Sequence, residues 1–101
     1  MTAVRGFARV QPLETFLRDY KDLDAQQKTA VDECIKDLCR EVIPAARRWH
    51  CVDRATKPPI FTVDLFPNKS YKISCQIVRD SDGQFLRLRR VRRHKDIDRN
   101  P

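Results

Sequence analysis

The sequence predicts an α+β fold in one domain, residues 1–101: an N-terminal strand, an antiparallel helix hairpin, then a three-stranded antiparallel sheet. Three observations carry this. Apolar residues recur at helical spacing from Leu13 to Val42, residues 60–91 carry strand-like and alternating runs, and an Asp-Gly pair separates two of the alternating segments.

The opening segment 3–10, AVRGFARV, alternates, with Val4, Ala8 and Val10 on one parity and Arg5, Phe7 and Arg9 on the other, and predicts a strand. Pro12 suits the first turn of a helix, where its missing N–H costs nothing, and Leu13, Phe16, Leu17 and Tyr20 make that helix amphipathic. Asp24 and Gln27 have the spacing of a capping box for a second helix, whose stripe is Val31, Cys34, Ile35, Leu38, Cys39 and Val42, ended by Pro44. The short link between the helices predicts an antiparallel pair.

The stretch 45–59 reads as irregular, anchored by Trp49 and Val52, with Trp49 a plug at the edge of the core rather than a platform for a nucleobase. Residues 60–66 form a strand, and Pro67 and Asn68 a turn. The segment 71–78 places Tyr71, Ile73, Cys75 and Ile77 on one face and Lys72, Ser74, Gln76 and Val78 on the other. After the Asp-Gly turn, Leu86 and Leu88 oppose Arg87 and Arg89 in parity. An even loop makes the apolar halves coincide, pairing Ile77 with Leu88 and Gln76 with Arg89.

At 101 residues the chain can hold one core, and 41% hydrophobic against 35% charged residues favours a folded, highly charged domain over a disordered one. The net charge of +7 selects polyanions, nucleic acid or an acidic protein, as partners. No run of 18 apolar residues is present, which excludes a membrane helix, and the N-terminus lacks the apolar region of a secretory signal, so a cytoplasmic protein is expected. Cysteines at 34, 39, 51 and 75 match no zinc spacing, even with His50 beside Cys51. Cys34, Cys39 and Cys75 fit better as small buried hydrophobes, and neither metal nor cofactor is expected.

The helices leave one sheet face carrying Lys72, Gln76, Arg87 and Arg89. Close by, Arg87, Arg89, Arg90, Arg92, Arg93 and Lys95 fall within nine positions, a self-repelling cluster that calls for an anionic partner. His94 follows directly, an imidazole able to handle a proton near neutral pH.

The order of elements, with VDLFPNKSYKISCQIVRDSDG leading to LRLRRVRRHKDIDR, resembles the RelE/ParE superfamily of toxins from bacterial type II toxin–antitoxin modules. Tyr71 and Lys72 match the start of that family's central strand, and Arg90, Val91 and His94 a pattern in its last strand. The family's small residue before the histidine is replaced by Arg92, and its aromatic four residues after by Asp98. The resemblance implies a metal-independent endoribonuclease that cleaves mRNA on the ribosome and is restrained by a cognate antitoxin. Lys72 would then hold phosphate, Arg90 stabilise transition-state charge, and His94 move a proton. Lys69, Gln76, Arg87, Arg89, Arg92, Arg93 and Lys95 would form the RNA-binding surface.

Two other readings share the fold or the charge: a ParE-like inhibitor of DNA gyrase, which needs no catalytic histidine, and a non-catalytic nucleic-acid-binding module. Strand parity sends Arg90 to the Leu86 and Leu88 face, whereas the resemblance wants it in the cleft. Either the helices end short of Arg90, leaving it solvated, or a bulge near Arg89 and Arg90 turns it over.

Overall fold

The computed structural model describes residues 4–101, which form five strands and three α-helices: β1 (Val10–Pro12), α1 (Glu14–Lys21), α2 (Ala25–Leu38), β2 (His50–Asp53), β3 (Ile60–Asp64), β4 (Tyr71–Asp80), β5 (Gly83–Arg93) and α3 (His94–Arg99). The architecture is mixed α+β, as the periodicity predicts. The sheet has five strands rather than three, in the order β1-β5-β4-β3-β2, with β1 parallel to β5 and the other neighbours antiparallel.

The expected strand over 3–10 is displaced. Ala3 lies outside the described residues, and Val4 to Arg9 make only an isolated bridge between Arg5 and Val42 before β1 begins at Val10. The backbone there serves a different purpose. The amides of Gly6 and Phe7 donate to the carbonyls of Glu41 (3.2 Å) and Leu38 (2.8 Å), supplying the end of α2 with donors that the helix itself lacks. Pro12 is the last residue of an edge strand rather than the first of a helix, a position its missing N–H also permits.

In α2 the capping box forms as expected: the amide of Gln27 donates to Asp24 Oδ1 at 2.7 Å, and Gln27 Oε1 accepts from the Asp24 amide at 3.0 Å. The helix stops at Leu38, well before Pro44, and the Leu38 carbonyl accepts from the Phe7 amide rather than from a further turn of helix. Cys39 and Val42, expected on the buried stripe, are therefore exposed. The core lies where Phe16 and the stripe Val31, Cys34 and Leu38 cover Val63, Ile73, Cys75, Leu86, Leu88 and Val91 of the sheet. Burial pushes the Cys34 thiol up to about 12 and raises that of Cys75 as well, so neither is a thiolate nucleophile at neutral pH.

The β4–β5 hairpin keeps the expected parity but is shifted by two residues, pairing Ile77 with Leu86 and Gln76 with Arg87. The turn centres on Ser81 and Asp82 rather than on Asp82 and Gly83. Asp80 accepts from the Asp82 amide (2.9 Å) and is gripped by Arg9 (2.9 Å), while Gly83, at φ 107°, adopts a backbone that other residues avoid. Further along, Cys75 pairs with Leu88 but Ser74 with Arg90, so Arg89 is an extra residue in β5 and the strand bulges there, although Arg90 is bonded to Asp19 of α1 rather than turned into the cleft described below.

The face of the sheet away from this core is not bare. After Arg93 the chain turns into α3, which packs on β4 and β5 with Ile97 fully buried, worth roughly 1.5–3 kcal/mol. The carbonyl of Pro101 accepts from Ser74 Oγ (2.9 Å) and Arg89 Nε (3.2 Å), and that of Pro58 from Gln76 Nε2 (2.7 Å). No helix among the described residues is long and apolar enough to cross a membrane.

Candidate functional site

The site is assembled from three segments. In the first, Arg47 is fixed: its Nε donates to Asp37 Oδ2 at 2.8 Å and its Nη1 to the carbonyls of Asp64 (3.2 Å) and Leu65 (3.0 Å), tying the end of α2 to the end of β3. The chain then passes through Arg48 in a left-handed conformation (φ 55°) and enters β2 two residues later, where His50 and Val52 are exposed and Cys51 and Asp53 half-buried. Trp49 stacks on Phe61 with ring centroids 4.7 Å apart, plugging the sheet edge as its sequence context predicts.

The second segment is β4, which contributes Lys72. Its Nζ lies 3.4 Å from Oδ1 of Asp64, a carboxylate only 4% exposed, while Arg48 Nε stands 3.5 Å from Oδ2 of the same group. A carboxylate taken out of water requires partners of this kind, and here they aim two cations in one direction. The third segment is α3. His94 begins it, with its amide donating to the carbonyl of Ser70 at 2.9 Å, and His94 Nε2 lies 2.7 Å from Oδ2 of Asp98 one turn on.

Arg48, Trp49, His50, Val52, Lys72, His94 and Asp98 line one cleft of about 440 Å³. Two imidazoles, two cations and an indole edge thus share a space large enough for part of a nucleotide chain. With the histidines neutral, the cations are matched by Asp64 and Asp98. The cleft is a set of opposed charges rather than the open cationic face that alternation predicts. Among the described residues no three His, Cys, Asp or Glu side chains gather as a metal site.

The structure brings Lys72 and His94 together and separates the other expected site residues. Arg90 points elsewhere: its Nε and Nη2 donate to Asp19 of α1 at 2.8 and 3.0 Å, the Val91 amide adds a third bond at 3.2 Å, and Asp19 raises the guanidinium pKa further. Gln76, expected on an RNA-binding surface, is buried, bridging the Pro58 carbonyl and Arg89 Nη1 (2.9 Å). Arg89 is held between Gln76 and Pro101 for the same reason, that the second face has a cover. Arg87 is half-buried, and Arg92 borders a separate hollow beside Asp19 and Asp96. Lys69, Arg93 and Lys95 are exposed. Lys69 sits in a left-handed turn (φ 62°), and Arg93 reaches the Tyr71 hydroxyl at 3.4 Å.

Alanine at Arg90 is expected to lower stability by about 2 kcal/mol in chemical denaturation, since it strands a largely buried Asp19, and to leave the chemistry of the cleft intact per folded molecule. A selective loss of activity with unchanged stability would return Arg90 to the site.

Sequence reasoning missed Arg48, His50 and Asp98. The signal for the first two is weak: His50 opens a strand of four residues, too short for a period to emerge, and Arg48 precedes it in a turn conformation. No protein-family model, curated protein or solved structure matches the chain.

Proposed function

We propose that the cleft is the active site of a RelE-like toxin, an endoribonuclease that cuts mRNA on the ribosome and is restrained by an acidic antitoxin. The order of strand, two helices and antiparallel strands supports the resemblance. The observation that carries the reading is the convergence of Lys72 and His94, distant in sequence, on one cleft beside a second imidazole.

In this reading Lys72 and Arg48 hold the scissile phosphate and stabilise the charge that grows on its free oxygens. His94 takes the proton of the adjacent 2′-hydroxyl, the 2′-oxygen bonds to phosphorus, and the bond to the 5′-oxygen breaks. His50, in its protonated form, supplies a proton to the departing oxygen. The products are a 2′,3′-cyclic phosphate and a 5′-hydroxyl. The nucleophile is internal and both proton carriers are imidazoles, so the route is metal-independent. Exposed Arg93, Lys95 and Lys69 provide a basic rim for RNA or for the antitoxin.

Purified protein added to a bacterial translation extract is expected to cut ribosome-bound message, with cyclic-phosphate ends, while leaving plasmid supercoiling by gyrase unaffected. Gyrase arrest with intact message would instead establish the ParE-like reading. Salt-sensitive RNA binding without either effect would leave a non-catalytic binding module.

A further inference from the structure

We infer that Val52 is the base-contacting residue of the cleft, the apolar wall that receives the nucleobase beside the scissile phosphate. This deepens the RNA-cleaving reading of the cleft and rests on it. Sequence context makes Val52 an anchor of the core, yet it is 39% exposed. A single exposed aliphatic residue is ordinary on a protein surface and carries nothing by itself. Val52 is set apart by its backbone. In the pairing of β2 with β3, Cys51 faces Phe61 and Asp53 faces Ile60, so Val52 is an extra residue without a partner, a bulge in an edge strand. A bulge of this kind re-aims a side chain, and Val52 lines the cleft together with Arg48, Lys72 and His94.

The bulge is held on both sides. Before it, Cys51 pairs with Phe61 in the ladder. After it, Asp53 Oδ1 accepts from the amides of Ala55 (2.9 Å) and Thr56 (3.0 Å), and Oδ2 from the Thr56 hydroxyl (2.7 Å). The occupant follows from what surrounds the valine. Arg48 and Lys72, which flank Asp64, select a phosphate, whereas an aliphatic wall selects an apolar surface, and a nucleotide carries both in one molecule. Trp49 offers the cleft an edge rather than a face, because its ring is engaged by Phe61 at 4.7 Å and by Phe7 at 5.9 Å. Among the described residues that line the cleft, Val52 is the one aliphatic side chain. The volume of about 440 Å³ falls within the usual range of small-ligand sites, roughly 300–1,000 Å³. A valine has no donor or acceptor with which to read the edge of a base. It responds to the area of the ring, so purines are preferred over pyrimidines and the two purines are treated alike.

The test is an NMR titration of the full chain at low salt, followed at the Val52 methyl groups, with a deoxyadenylate tetranucleotide, which has no 2′-hydroxyl and cannot be cut, and with its abasic counterpart, which keeps the phosphates. Wild type is expected to bind the base-bearing probe about fivefold more tightly, the low end of what a stacked base contributes, since the wall is aliphatic rather than aromatic. The Val52 methyl signals move upfield with that probe alone. Val52→Ala brings the ratio of affinities close to one without changing the affinity for the abasic probe or the denaturation midpoint, and Val52→Ile keeps the ratio. Equal affinity of wild type for the two probes, absence of binding, or an undiminished ratio in Val52→Ala overturns the inference. The readout needs no cleavage. A wild type that discriminates the probes but cuts no message ends the endoribonuclease reading and keeps the base contact, and one that cuts message without discriminating does the reverse.

Discussion

Replacing His94 with alanine is expected to reduce ribosome-dependent cleavage by about 10²–10⁴-fold, the usual contribution of a positioned proton carrier. The fold should survive: the bond from residue 94 to Ser70 is made by its backbone amide, and the partly exposed side chain stands beside an exposed carboxylate. Thermal denaturation of His94→Ala therefore stays close to wild type while activity collapses. Lys72→Ala also loses activity but should behave differently, because removing Lys72 leaves the buried Asp64 with Arg48 alone at 3.5 Å. Its loss of activity is accompanied by a lower denaturation midpoint. Undiminished cleavage by His94→Ala would remove the imidazole from the chemistry and, with it, the case for an RNase in this cleft.

The largest expected effect on stability belongs to a residue outside the site. A Cβ at position 6 would lie 1.8 Å from the Arg40 carbonyl oxygen and 2.7 Å from that of Leu38, and backbone atoms cannot step aside as a flexible side chain can. Gly6→Ala is expected to cost about 3 kcal/mol, lowering Tm by more than about 10 °C in a domain of this size. The damage reaches the cleft indirectly. Phe7, whose amide caps α2, lies 5.9 Å from Trp49, so displacing the N-terminal segment loosens the aromatic stack that borders the site. A wild-type midpoint for Gly6→Ala would show that the segment does not dock against α2 in solution.

Much of the fold was legible because strong periodicity survives tertiary context. The apolar stripe of α2 from Val31 to Leu38, its capping box, and the parity of β4 against β5 each follow from spacing alone. What escaped was short. β2 has four residues and α3 six, each with a single aliphatic side chain among charged and polar ones, too few for a period to emerge. Ile97 was the one hint of α3, an aliphatic residue stranded in a basic run, and it proves to be the residue that binds the helix down. The site was half-legible for the same reason. Lys72 and His94 could be named from strand and motif, whereas Arg48 and His50 depend on a strand that the sequence does not announce. Arg90 and Gln76 were misplaced because alternation says which face a residue occupies, not which neighbouring element then covers it.

β5 lies between β1 and β4, yet it is the last strand in chain order. The sheet is therefore completed by insertion of an interior strand. A nascent chain lacking residues 83–93 has no template for β1 and lacks the strand on which α1 chiefly packs, so β1 and α1 wait for β5 to be synthesised. Products truncated before β5 should accordingly be protease-sensitive and inert, and folding should set in abruptly once residues 83–93 are available rather than segment by segment.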